Sequence, residues 1–196
     1  MPNMNWSQLT SMQLGRYAEY YAKMEFASYG FEVYTSEVDD HGVDFVAKMP
    51  NSNHFLEVQV KSVRDFGYTF IAESKMPQLS DNRLVCYLHF EDNKLPDVFV
   101  IPATVWKNPN AVFVHRKYDK PGQKSKPEYG ISISRKHYDL LKPFVADEFF
   151  KSFFQKGFRR CRPACGGVWA FPTPWGKDSR TGLCDERVAA VAAVKQ

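Results

Sequence analysis

Three polar side chains that could act together lie in two short apolar segments near the middle of this 196-residue chain. Asp44 stands at the start of one segment, and Gln59 and Lys61 alternate with valines in the next. If the segments pair as antiparallel strands with Phe45 opposite Val58, their apolar side chains share one face. The other face then carries Asp44 opposite Gln59, with Lys61 about 6.8 Å further along the strand. The spacing therefore brings an acid, an amide and an amine to one place.

This group of side chains predicts a magnesium site. Mg²⁺ takes hard oxygen ligands, and the Asp44 carboxylate, the Gln59 amide oxygen and the Val60 main-chain carbonyl are such ligands. Lys61 could orient a water molecule or stabilise negative charge on a phosphate. A further acid, Glu19, lies in a predicted helix among small residues that would let the helix approach the sheet. We predict that Asp44, Gln59, Val60 and Glu19 are metal ligands, and that Glu19, Asp44, Gln59 and Lys61 form the catalytic set.

The elements that must position these residues are a helix and several consecutive strands. Thr10 followed by Gln13 has the pattern of a capping box, and apolar residues at helical spacing predict a helix over 10–29. A helix, several strands and then further helices indicate a mixed α/β (α+β) fold, in which helices flank a central mixed sheet. Short apolar runs predict strands over 31–34, 43–48, 55–63, 68–72, 84–90, 98–101 and 131–134, and helical spacing predicts helices over 137–144 and 147–158.

The order of these residues resembles the PD-(D/E)XK nuclease superfamily, and in particular its members that are similar to Holliday junction resolvases and restriction endonucleases. The pattern of that superfamily is a helix with a glutamate, a strand with an aspartate, and a strand with an acid two residues before a lysine. The matches are Glu19 in GRYAEYYAKMEF, Asp44 in HGVDFVAK, and Gln59 and Lys61 in FLEVQVKS. The resemblance covers roughly residues 10–145.

Two positions depart from the pattern. Gln59 stands where the superfamily has an acid, which makes this chain a Q-x-K variant, and Val43 stands where a proline is common. Glu57, one pleat away on the same face, is a candidate replacement for the missing acid. The resemblance implies a restriction-endonuclease-like core, and Mg²⁺ or Mn²⁺ as cofactor. It also implies hydrolysis of phosphodiester bonds in double-stranded or branched DNA, and a homodimer that cuts both strands.

A basic segment over 116–126 is the predicted contact for nucleic acid. Its cations are Arg116, Lys117, Lys120, Lys124 and Lys126, with Tyr118 available for stacking on a base. The alternative interpretation is a solvated loop. Residues 1–158 carry no net charge, so DNA binding would depend on such a local patch.

Composition divides the chain into a domain over 1–158 and a tail over 159–196. The whole net charge of +4 lies in the tail, which is rich in arginine, alanine and glycine and lacks aromatic periodicity. We expect the tail to pack poorly on the domain. The sequence contains no apolar run long enough to span a membrane and no secretory signal. One cysteine lies before residue 159, so disulfide bonds do not stabilise the domain, and a cytoplasmic location is expected.

A second function class stays open at this point. Solvated faces of strands often carry isolated acids and lysines, and a protein with a nuclease fold but no catalysis could bind nucleic acid or a protein partner. The position of Glu19 relative to Asp44, Gln59 and Lys61 separates the two classes, because catalysis requires the four to surround one cavity.

Overall fold

The computed structural model describes residues 3–35 and 42–155. The predicted tail over 159–196 and the end of the predicted helix 147–158 lie outside the described residues. The two α-helices are α1 (Ser11–Ser28) and α2 (Ala146–Gln155). The strands are β1 (Glu32–Thr35), β2 (Phe45–Lys48), β3 (Phe55–Arg64), β4 (Gly67–Ala72), β5 (Arg83–Phe90), β6 (Asp97–Pro102), β7 (Phe113–Arg116) and β8 (Glu128–Ile133). Short 3₁₀ helices lie at Trp6–Gln8, Glu73–Lys75, Ala103–Lys107 and Tyr138–Phe144.

The central layer is a five-stranded sheet in the order β1-β2-β3-β5-β6. β3 and β5 run parallel, whereas the other neighbouring pairs are antiparallel, so the sheet is mixed. The predicted fold class, a mixed sheet flanked by helices, is confirmed. No helix of residues 3–35 and 42–155 has the length and apolar character that a membrane crossing requires.

Helix α1 packs on one face of this sheet. Its capping box is present: the Thr10 side chain accepts from the Gln13 N–H, and the Gln13 Oε1 accepts from the Thr10 N–H. The face of α1 that is buried in the core carries Leu14, Ala18, Ala22 and Phe26. These residues share one core with Phe45, Leu56, Val58 and Val60. The antiparallel pairing of β2 with β3 places Phe45 opposite Val58, so the predicted register and its buried apolar face are confirmed.

A second core fills the opposite face of the five-stranded sheet. There a three-stranded sheet in the order β4-β8-β7 covers the central strands. The core side chains of the large sheet are Val85, Tyr87, Phe99 and Ile101, and those of the small sheet include Ile71, Phe113, Tyr129 and Ile131. Because strand side chains alternate, Gln59 and Lys61 of β3 lie on this face and not on the face that α1 covers.

Three local expectations differ from the structure. The predicted strand 43–48 begins at Phe45, because Gly42 has a positive φ of 64° and turns the chain just before it. The strand β7 has four residues and no clear alternation, and it was not predicted from the sequence. The predicted α-helix over 137–144 is a 3₁₀ helix that contains Pro143, whose ring nitrogen cannot donate a helical hydrogen bond.

Candidate active site

Asp44 lies at the end of the β2–β3 pair and contacts β3 on both sides of Gln59. Its N–H donates to the Val58 carbonyl at 2.9 Å, and its Oδ2 accepts from the Val60 N–H at 2.5 Å. The ladder of β2 covers Phe45 to Lys48, so these two contacts replace regular pairing where the ladder stops. A carboxylate that accepts from a backbone N–H is held in one orientation. The structure thus places the Asp44 carboxylate against Val60, the residue that follows Gln59.

Gln59 is a buried polar residue with an unsatisfied oxygen. Its side chain is 7% exposed, and its Oε1 has no hydrogen-bond partner among the described residues. A buried acceptor left without a donor costs about 1–3 kcal/mol, so natural proteins rarely keep one unless something else binds it. An amide oxygen is a ligand for a hard cation, and this atom is therefore the strongest indication of a ligand site near Asp44.

Lys61 follows two residues later on the same face of β3. It is half-buried, and its side chain makes no hydrogen bond or ion pair with residues 3–35 and 42–155. Its partner in the parallel register is Tyr87. The Tyr87 hydroxyl is also buried without a hydrogen-bond partner in the described part of the chain, and burial raises its pKa above the ordinary value, so it stays protonated. Lys61 is therefore a cation that the described fold does not use for its own stability.

The two other acids predicted or considered for the site have partners of their own. Glu19 lies on α1, across the sheet from Gln59 and Lys61, and its Oε2 accepts from Arg16 at 2.7 Å. Its approach to Asp44 stays a prediction. Glu57 does not supply a free carboxylate, because its Oε2 accepts from Arg83 Nη1 at 3.1 Å.

Arg83 is a positioning residue that the sequence analysis missed. Its Nη2 donates to the Gly42 carbonyl at 3.0 Å and to the Lys75 carbonyl at 2.7 Å. Gly42 is two residues before Asp44, so this guanidinium fixes the turn that presents the Asp44 carboxylate. A Cβ at Gly42 would lie 2.9 Å from the Lys75 Cβ, which makes glycine necessary there. The available signal was an arginine directly before the apolar and aromatic run 84–88.

The donor set fits a divalent cation that keeps most of its waters. It consists of the Asp44 carboxylate, the Gln59 Oε1 and the Val60 main-chain carbonyl, all of them hard oxygens. The described part of the chain contains no group of three or more His, Cys, Asp or Glu that could hold a metal. The negative charge of Asp44 also acts on a core residue. Burial, and then the charges of Glu25 and Asp44, raise the pKa of the Cys86 thiol above its ordinary value. Cys86 is accordingly an uncharged core residue.

The predicted nucleic-acid segment has two kinds of cation. Arg116, the last residue of β7, lies 4.0 Å from the centre of the Tyr68 ring and 3.7 Å from Glu128 Oε1. The Tyr118 hydroxyl donates to the same oxygen at 2.9 Å, so its predicted stacking role competes with this bond. The four lysines, in contrast, are exposed and form no ion pair with the described residues: Lys117, Lys120, Lys124 and Lys126.

Comparisons with known proteins find a distant structural likeness. No family model matches the chain, and no curated protein matches it. Among solved structures, the chain is similar to Hjc, a Holliday junction resolvase from the archaeal hyperthermophile Archaeoglobus fulgidus. The two chains are 14% identical, and the alignment covers 64% of this chain and 88% of Hjc with a TM-score of 0.42. A likeness at this level assigns neither a site nor a substrate, and the function must be argued from the residues themselves.

Proposed function

We propose that this protein is a Mg²⁺-dependent endonuclease that hydrolyses phosphodiester bonds in double-stranded or branched DNA, with Mn²⁺ as an alternative metal. The observation that carries the proposal is the buried Gln59 Oε1, which lacks a donor among the described residues and lies where Asp44 contacts β3. The resemblance of the Glu19, Asp44, Gln59 and Lys61 pattern to the PD-(D/E)XK superfamily supports the same function.

The residues divide the work by their chemistry. Asp44, Gln59 and the Val60 carbonyl would hold the metal, which supplies Lewis-acid chemistry at the scissile phosphate. The Val60 N–H keeps the Asp44 carboxylate oriented, so little reorganisation accompanies binding. Lys61 orients the attacking water and neutralises charge that develops on the phosphate. Glu19 is the additional acid of the proposal, and its exposed ion pair with Arg16 costs little to open.

The test is cleavage of a supercoiled plasmid and of a synthetic four-way junction in the presence of Mg²⁺ or Mn²⁺. Lys61→Ala should lower the cleavage rate by roughly 100-fold or more, because it removes a cation that acts on the transition state. Its free energy of unfolding should change by less than about 0.5 kcal/mol, because Lys61 has no ion pair in the described fold. Lys48→Ala, which removes a strand lysine paired with Glu32 at 2.8 Å, is the matched control and should cleave normally.

The second arm of the test is metal binding. Asp44→Asn should lose cleavage through weaker binding of Mg²⁺, which calorimetry measures directly. Cleavage of both strands at one place requires two sites, so the proposal includes a homodimer, which sedimentation measures. A wild-type protein that neither cleaves DNA nor binds either metal would reject the nuclease function.

The alternative is a nuclease-fold protein without catalysis that binds nucleic acid or a protein partner. One observation favours it: Glu57, the acid of β3, is already bound to Arg83, so Asp44 alone among the described acids of residues 42–64 remains to hold a metal. The same calorimetry and cleavage measurements decide between the two functions.

A further inference from the structure

The outer face of the small sheet carries large aromatic side chains that the core does not use. Along β4, Ile71 is buried, whereas Phe70 is 51% exposed and Tyr68 is half-buried. The rings of Tyr68 and Phe70 are nearly parallel, with an interplanar angle of 21° and a distance of 6.3 Å between centroids. Two neighbouring rings held in parallel planes are a surface on which a flat ligand can stack.

Three contacts position the Tyr68 ring in this surface. The Tyr68 ring lies across Gly130 of β8, where an added Cβ would be 2.3 Å from the Tyr68 hydroxyl. That hydroxyl donates to the buried Glu128 at 2.5 Å. The Arg116 guanidinium lies over the ring at 4.0 Å from its centre, and the Arg116 side chain is 47% exposed. We call Tyr68, Phe70 and Arg116 the aromatic platform.

The charge beside the aromatic platform is positive. Arg116 leads directly into the segment that carries Lys117, Lys120, Lys124 and Lys126, all four exposed and without ion pairs to the described residues. Two acids accompany them: Asp119 is exposed in the same segment, and Glu128 is buried beneath two tyrosine hydroxyls. Proteins recognise unpaired nucleotides with aromatic rings that stack on the bases and with nearby cationic side chains that bind the phosphates. The aromatic platform and the four lysines provide both.

We propose that the aromatic platform and the adjacent lysines bind single-stranded DNA, with a base stacked on Phe70 and the backbone on the lysines. The inference rests on the proposed function for the choice of DNA. It narrows the substrate class to DNA that has an unpaired strand next to the cut, such as a branch, a flap or a gap. Bases inside an intact duplex are stacked on one another and would leave Phe70 unused.

The chain connects the aromatic platform to the candidate active site. β4 ends at Ala72 and continues into the 3₁₀ helix Glu73–Lys75. Glu73 binds His115, the neighbour of Arg116, at 2.7 Å, while the Lys75 carbonyl is bound by Arg83 beside the Gly42 turn. Phe70 and Lys75 are five residues apart, which spans at most about 18 Å. An unpaired strand that leaves the aromatic platform can therefore reach the Asp44 turn.

The test measures binding of a fluorescein-labelled oligothymidine of about 15 nucleotides to the full chain in EDTA, where no cleavage interferes. Phe70→Ala should raise the dissociation constant roughly 5- to 100-fold, the range of one lost base–aromatic stack. Phe55→Ala is the matched control, because Phe55 is 49% exposed on the large sheet and lies off the aromatic platform. Phe70→Leu keeps the apolar bulk without a ring, and should bind as weakly as Phe70→Ala.

Two further arms complete the test. Replacing Lys117 and Lys120 by Gln should make the salt dependence shallower by roughly 0.7 in log Kd per log salt for each lost phosphate contact. A duplex of the same length should bind more weakly than the single strand. The inference is overturned if Phe70→Ala and Phe70→Leu bind oligothymidine as the Phe55 control does, or if the duplex binds as tightly as the single strand.

The two proposals fail separately. Asp44→Asn should bind oligothymidine like the wild type in EDTA, since Asp44 is not part of the aromatic platform. If binding depends on Phe70 but no metal supports cleavage, the endonuclease proposal fails and the single-strand site stands. If cleavage depends on Asp44 and Lys61 but Phe70 affects neither binding nor cleavage, the single-strand site fails and the endonuclease proposal stands.

Discussion

Glu128 in the small sheet and Gln59 in the large sheet are both buried polar side chains, but their surroundings differ in kind. Glu128 accepts from the Tyr68 hydroxyl at 2.5 Å and the Tyr118 hydroxyl at 2.9 Å, and Arg116 lies 3.7 Å away. Gln59 has no donor for its Oε1 in the described fold. In the small sheet, donors surround the charged acceptor. In the large sheet, the neutral acceptor has no donor among the described residues.

This difference separates structural polar groups from groups that are available to a ligand. A charged acceptor with several donors stabilises the fold, and removing it leaves those donors unpaired. An unsatisfied oxygen costs stability in the folded protein, and binding of a cation would repay that cost. By the same criterion Arg116, a predicted contact for nucleic acid, also has a structural role, whereas the Lys61 side chain has no partner that the described residues show.

The largest expected effect on stability belongs to the closed network. Glu128→Gln should lower the free energy of unfolding by about 2–4 kcal/mol, because two charge-assisted bonds from tyrosines become weaker neutral ones. Urea denaturation measures the loss. Glu148→Gln is the control, since Glu148 is an exposed acid of α2 whose described contact is Lys151 at 3.9 Å. Equal stabilities of the two variants would show that the network around Glu128 is not stabilising.

A smaller effect should come from one donor of that network. Tyr118→Phe removes the hydroxyl that donates to Glu128 and should cost about 1 kcal/mol in the free energy of unfolding. Tyr20→Phe, at a tyrosine of α1 that is 59% exposed, should cost nothing measurable. The comparison fails if Tyr118→Phe is as stable as the wild type, because the second tyrosine would then hold Glu128 alone.

Much of the region around Asp44 could be predicted because local and long-range demands agree there. The alternation of valines with Gln59 and Lys61 fixes which side chains share a face of β3. Burial of the valine face then fixes the register, with Phe45 opposite Val58. The helix α1 was predictable for a similar reason, since its capping box and its small apolar stripe are both local patterns.

The contacts that hold the site are long-range and leave no pattern in the sequence. Arg83 binds the carbonyls of Gly42 and Lys75, which are far apart in the sequence. Helix periodicity predicted that α1 faces the sheet, but it could not tell which face of β3 the helix covers. The structure places Gln59 and Lys61 on the face opposite to α1, and the approach of Glu19 to Asp44 stays a prediction.

The smallest and most decisive expected change concerns Gln59 itself. Gln59→Leu replaces a side chain with an unsatisfied buried oxygen by an apolar group of similar size, so the protein without metal should be equally stable or up to about 1 kcal/mol more stable. This sign is opposite to that of Glu128→Gln, although both changes alter a buried polar side chain. A loss of stability in Gln59→Leu would show that the amide has a structural role.

Metal binding gives the same variant a second and independent measurement. A cation that binds the folded state raises the melting temperature by mass action, so Mg²⁺ should stabilise the wild type in a concentration-dependent way. Gln59→Leu should abolish this response because one of the few protein ligands is lost, while its melting temperature without metal stays equal or rises. A variant that is more stable but no longer responds to Mg²⁺ would identify Gln59 as a residue that the protein keeps for its ligand and not for its fold.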